Sequence, residues 1–327
     1  MPPQMGNLVK LRTLTNFSLG KWYGSGIKEL GKLQHINGEL SIENLQNINP
    51  KHVWESKLRN KEQLKTLEFK WRGKSKDAKH AKKTLEQLWP HEKVENLYIV
   101  GYDGTRFPYW NGSKGIGLSE FTIRGNRTAD GLTFTLEEIE LFRCAIERFP
   151  LEIFPNLKRI EIFDCSNLKS LTATEEIQVE SSSCPNLTEL LLERCSNLKS
   201  LPEYIGFHPS IVKLQISDCG ELELFPKGGL PSKLESLAID GCGKLKIKVI
   251  EGIDNNYEGD EETLPLLPST LTYLRIDGLR NLESLKYKRL VHLRELIILR
   301  CPNLRSIPDC MQDLPLLVKL EISGCPN

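Results

Sequence analysis

The chain has 327 residues, with 44 Lys and Arg against 43 Asp and Glu, for a net charge of +1. That balance gives no electrostatic case for nucleic acid or an anionic bilayer as the main partner, so any basic patch has to be local. Leucine outnumbers alanine 52 to 6, which excludes a protein built chiefly of ordinary helices; no apolar run reaches the roughly 18 residues of a spanning helix, and the opening MPPQMGNLVK lacks the apolar core of a secretory signal.

In chain order, short apolar alternations mark strand stations near Leu14, at Leu40 and Ile42, at Leu67 and Phe69, at Leu97 and Ile99, and at Phe121 and Ile123. From residue 136 the spacing becomes regular. LKRIEIFDCSNLKSL from Leu157, LTELLLERCSNLKSLP from Leu187 and LRELIILRCPNLRSIP from Leu293 align without gaps on the template LxxLxIxxCxxLxxLP. The same pattern starts at Leu136, Ile211, Leu234, Leu271 and Leu317, and the common period of about 24 residues is a leucine-rich-repeat spacing. Eight places after each start stands Cys144, Cys165, Cys195, Cys219, Cys242, Cys301 or Cys325, with Leu279 as the exception.

In each repeat two apolar residues alternate with polar ones, as a short half-buried strand requires. One turn cannot cover its own leucines, whereas stacked turns bury them in a continuous core. The predicted fold is therefore an α/β repeat: a leucine-rich-repeat solenoid, or horseshoe, with a concave parallel sheet of about 13 strands and a mostly irregular convex side. Residues 1–135 read as irregular repeats and 136–327 as regular ones in one continuous solenoid, with insertions near 172–183 and 250–267. A concave arc on the order of 60 Å suits a protein ligand better than a metabolite.

Function then belongs to the outward strand positions, which are mostly charged with mixed signs and include Glu193, Lys213 and Arg275. Two apolar sets interrupt that background: Phe142, Phe163 and Leu191 on successive turns, and Tyr273, Ile297 and Leu299. Such residues are candidate binding anchors, and lateral packing of neighbouring strand residues is the blander reading.

Signals for other chemistry are weak. Gly26 to Lys32 fits GxxxxGK, but Leu33 stands where a hydroxyl must meet Mg²⁺. Asp254, Asn256, Glu258 and Gly259 imitate half a calcium loop whose twelfth position is Pro265 instead of Glu. The six acidic residues between Glu251 and Glu262 read as a solvated loop, and Lys74, Lys76, Lys79, Lys82 and Lys83 as a solvated basic run. Stacked cysteines fall within disulfide range, yet parallel side chains and a reducing compartment favour free thiols that fill a tight turn. No catalytic, cofactor or metal site is indicated, and the chain reads as a non-enzyme.

Several segments carry a family resemblance. VENLYIVGYDGTRFPYW, residues 94–110, resembles the NLxxLxIxGYxGxxFPxW signature of plant disease-resistance proteins of the coiled-coil, nucleotide-binding, leucine-rich-repeat class. MPPQMGNLVKLRTLTNFSLGK, ELGKLQHINGELSIENLQNI and KLRNKEQLKTLEFKW resemble the motifs that precede it in that family, in the same order. The resemblance implies a cytoplasmic module that recognises a pathogen effector or a guarded host protein and holds the nucleotide-binding switch domain of the parent receptor off. The lysine run is then a candidate dock for that switch domain. The other readings are the ectodomain of a surface receptor, for which LxGxIP with Asn at the eighth position stands as LxSLP with Cys here, and the substrate arm of a ubiquitin-ligase adaptor, for which no helical adaptor-binding segment is visible.

Overall fold

The computed structural model describes residues 4–20, 26–108, 110, 135–172, 184–226, 229–245, 267–283, 290–305 and 314–325. Twelve strands lie among them, in one sheet whose order is that of the chain. This is the leucine-rich-repeat solenoid that the period requires. The chain divides into two compact units, Met1–Ile160 and Glu161–Asn327.

The first unit holds β1 (Asn16–Ser18), β2 (Gly38–Glu43), β3 (Leu64–Lys70), β4 (Asn96–Val100) and β5 (Glu138–Phe142), each parallel to the next. Its buried rungs are Phe17, Ile42, Phe69, Ile99 and Leu141. The first station is thus set by Phe17 instead of Leu14. Phe121 and Ile123 lie outside the described residues, and β4 is bonded directly to β5, so the ladder has no rung between them. Among the described residues two α-helices cross between strands, α1 (Gly26–Lys32) and α2 (Ala78–Gln87), and a 3-10 helix lies at Pro50–Ser56. The lysine run is therefore largely helical. Asp77 caps α2 by accepting the His80 N–H at 2.7 Å, and Ala81, Thr84 and Leu85 form its buried stripe.

β6 (Arg159–Phe163) spans the division between the units. The second unit continues with β7 (Glu189–Glu193), β8 (Lys213–Ser217), β9 (Ser236–Asp240), β10 (Tyr273–Asp277), β11 (Glu295–Leu299) and β12 (Lys319–Ser323). Every pair from β7·β8 to β11·β12 is parallel and in register without a slip. Identical spacing explains this, because a one-residue shift would turn Leu214, Leu237, Leu274 and Leu296 out of the core.

Each regular turn closes in the same way. The residue after the strand is left-handed: Arg194, Asp218, Gly241, Gly278 and Arg300 all have φ between 50° and 69°. Its N–H donates to the last carbonyl of the following strand, as from Arg194 to Ser217 at 2.9 Å and from Asp218 to Asp240 at 2.8 Å. The cysteine comes next, except after Gly278, where Leu279 stands. The cysteine thiol donates to the carbonyl two residues back, as from Cys242 to Asp240 at 3.4 Å and from Cys301 to Leu299 at 3.3 Å. The cysteine carbonyl in turn accepts the N–H of the leucine three places on. Burial pushes the Cys242 thiol up to about 12 and the Cys301 thiol up to about 11, so both stay protonated donors.

Candidate partner-binding face

In the second unit the outward side chains form three rows across the ladder. The first runs Glu189, Lys213, Ser236, Tyr273, Glu295, Lys319; the second runs Leu191, Gln215, Ala238, Arg275, Ile297, Glu321; the third runs Glu193, Ser217, Asp240, Asp277, Leu299, Ser323. Neighbouring opposite charges pair across strands, as in Lys213 with Glu189 at 3.7 Å and Lys319 with Glu295 at 3.6 Å. These partly exposed pairs add little stability and leave the two lysine side chains accessible to a partner.

The third row holds a denser network. Asp277 is 1% exposed and accepts from Arg275 Nη2 at 2.7 Å and from Arg300 Nε at 2.6 Å. The same two guanidinium groups reach Asp240 at 3.8 and 3.4 Å. Burial, and then the Asp277 carboxylate, hold Asp240 above its ordinary range against the pull of both arginines. Beside it lies an open depression of about 280 Å³ lined by Asp218, Asp240, Gly241, Gly278, Arg280, Arg300 and Pro302. Gly241 adopts its φ of +63° there without the strain a side chain would bring, and a Cβ would push the Asp218 carboxylate aside. Arg300 follows its strand and precedes a cysteine, so the alternation rule for outward residues passes over it.

The proposed anchors separate by burial. Tyr273 and Leu299 are half-buried on adjacent strands, with Arg275 and Asp277 between them in the register. Ile297 is 3% exposed and Leu191 7%, so neighbouring side chains already cover both. Phe142 stands half-buried at the end of β5 in the first unit, and Phe163 half-buried at the end of β6. Glu193 and Lys213 are half-buried at the rim of the second unit's face.

Within the first unit the register brings together residues that sequence distance hides. Val100 of β4 lies directly beside Phe142 of β5, with Tyr98 one outward position away. The Arg143 guanidinium covers the Phe142 ring at 4.7 Å from its centre. The other outward rungs here are rich in carboxylates, among them Glu43, Glu68, Glu138 and Glu140. Glu43 accepts from Arg72 at 2.6 Å, which holds its carboxyl below the usual range.

The family-like motifs serve the core. In residues 94–110, Tyr102, Phe107 and Trp110 are buried, Tyr102 donates to the Arg106 carbonyl at 2.8 Å, and Trp110 donates to the Leu85 carbonyl at 3.0 Å. Phe107 packs edge-on against Trp110, Phe149 and Phe154. Gly101 is left-handed at +69° and lies against the Trp71 carbonyl, where no Cβ fits. The GxxxxGK segment is α1, with Ile27, Leu30 and Gly31 buried and Gly31 packed on the Glu55 carbonyl. Lys61, 2% exposed, closes that helix by donating to the carbonyls of Leu30 at 3.0 Å and Leu33 at 2.6 Å. The calcium-like stretch from Asp254 to Pro265 lies outside the described residues.

This architecture is a leucine-rich-repeat interaction scaffold, a class that binds proteins across its sheet. Residues 27–165 match the family model described as R13L1/DRL21 LRRs. The chain is 32% identical over 280 residues, 80% of its length, to a putative disease resistance protein, At3g14460, of Arabidopsis thaliana, of which it spans 18%. It is 32% identical over 191 residues to the putative disease resistance protein RGA1 of Solanum bulbocastanum, covering 53% of this chain and 19% of that protein. Against the putative disease resistance RPP13-like protein 1 of Arabidopsis thaliana it is 28% identical over 338 residues, covering 94% of this chain and 30% of the relative. Among solved structures, the leucine-rich-repeat domain of the type III effector XCV3220 (XopL) overlays with a TM-score of 0.49 at 20% identity, covering 73% of this chain and 71% of that one. The chain is a leucine-rich-repeat domain of the kind found in plant disease resistance proteins, and it spans less than a third of the length of each of these curated relatives.

Proposed function

We propose that this domain is the recognition module of a cytoplasmic plant immune receptor. It binds a pathogen effector, or a host protein that such an effector modifies, and it restrains the nucleotide-binding switch domain of the parent receptor. One observation carries the reading. In the second unit the outward positions of five consecutive strands, β8 to β12, form an unbroken registered surface of mixed charge, with Tyr273 and Leu299 as half-buried apolar points within it. Partner affinity concentrates at such anchors, while surrounding charges select and steer. The turn cysteines support the cytoplasmic placement, because their hydrogen bonds to strand carbonyls need reduced thiols.

Burial decides how to test this. Replacing Leu191 or Ile297 would disturb packing and binding together, whereas Tyr273 and Leu299 are partly accessible. Tyr273→Ala combined with Leu299→Ser, placed in the complete receptor, is expected to keep normal protein levels and lose effector-dependent signalling. Wild-type signalling in that variant would remove the apolar points from the recognition surface.

A further inference from the structure

The net charge of +1 conceals a basic flank on the helical side of the first unit. A 3-10 helix advances three residues per turn, so side chains three apart share a face. In Pro50–Ser56 the row Val53 and Ser56 is buried and the row Lys51 and Trp54 is exposed, and the left-handed C-cap Lys57 that follows is exposed as well. Trp54 is 63% exposed. Helix α2 packs against this helix and turns Lys79 and Lys83, one turn apart, away from its buried stripe. The acids on these two elements are already engaged: Glu55 with His52, Asp77 in the α2 cap, and Glu86 with Lys82. Lys51, Lys57, Lys79 and Lys83 have no ion-pair partner among the described residues.

We propose that this flank docks peripherally on an anionic lipid bilayer, with Trp54 entering the headgroup layer and the four lysines held over anionic headgroups. The choice of lipid over protein rests on residue type. Protein interfaces favour Arg, whose rigid fork pairs with carboxylates, and deplete Lys. A charged bilayer needs only cations near its surface, and each adds roughly a fivefold gain in binding. A tryptophan supplies the amphipathic ring that belongs at the headgroup level. Docking through the helical side leaves the outward sheet face open, so a membrane and a protein partner do not compete for one surface.

Co-sedimentation of the full chain with phosphatidylcholine vesicles, with or without a one-third share of phosphatidylserine, tests this. Binding is expected only with phosphatidylserine, weakening as salt is raised and blue-shifting tryptophan emission. Trp54→Ala should abolish most of the blue shift. Changing Lys51, Lys57, Lys79 and Lys83 together to Gln should weaken binding several hundredfold, the product of about four fivefold losses, with an unchanged circular dichroism spectrum. Equal binding to neutral vesicles, or wild-type binding by the quadruple variant, would overturn the proposal. So would tight binding to polyglutamate with none to phosphatidylserine vesicles, which would assign the flank to an acidic protein segment.

Discussion

Where each regular strand ends, one residue adopts a left-handed conformation that costs a non-glycine residue about 1 kcal/mol or more. Asp164, Arg194, Asp218 and Arg300 accept that cost at the position where Gly241, Gly278 and Gly324 do not incur it. The compensation is the N–H bond each makes to the neighbouring turn. Cysteine was legible in the sequence because one residue type recurs there. The left-handed position before it was not, since Gly, Asp and Arg share no side-chain property and only backbone geometry unites them. His208 is a comparable case on a connecting loop. It is 2% exposed, its Nε2–H donates to the Cys184 carbonyl at 2.9 Å, and the Ser210 N–H donates to its Nδ1 at 3.3 Å. Burial holds its pKa below the ordinary 6.5, outweighing the Cys184 bond. The native state therefore resists a proton that the unfolded chain accepts, so stability falls as pH drops through 6.5 and below. Melting temperatures measured between pH 7 and pH 5 should fall less in His208→Gln than in the wild type. Parallel curves would mean that His208 does not contribute to acid sensitivity.

At the scale of elements, strands were readable wherever the period was intact and were misplaced where it was not. The pairing of β4 with β5 joins Val100 to Phe142 across 42 positions of sequence, and no local pattern announces a neighbour that far away. Helix α2 was hidden because five lysines suggested a solvated run, although Ala81, Leu85 and Leu88 carry helical spacing. The Arg275, Asp277 and Arg300 cluster shows a different limit. Its residues come from a strand and from the turn after the next strand, and only registration makes them one unit. Since either arginine alone can still neutralise the buried carboxylate, Arg275→Ala or Arg300→Ala should each cost about 1 kcal/mol. Removing both leaves Asp277 buried without a cation, a state that costs about 3–5 kcal/mol. Urea denaturation should therefore show a double-mutant loss well above the sum of the single losses. Simple additivity would mean that the two arginines act independently.

For the molecule as a whole, stability in a repeat array is a sum of local terms, because each turn contacts its neighbours and no central core unites all of them. The two compact units, Met1–Ile160 and Glu161–Asn327, make this testable. Leu296 is fully buried on β11 between Leu274 of β10 and Leu320 of β12. Truncating such a leucine to alanine costs about 2–5 kcal/mol in transfer and cavity terms. In a single-core domain that cost would appear in every slowly exchanging amide. Here Leu296→Ala is expected to raise hydrogen exchange in β10, β11 and β12 while β2, β3 and β4 keep wild-type protection, because local openings report only the contacts they break. Equal acceleration in both sets of strands would show that the chain unfolds as one cooperative unit.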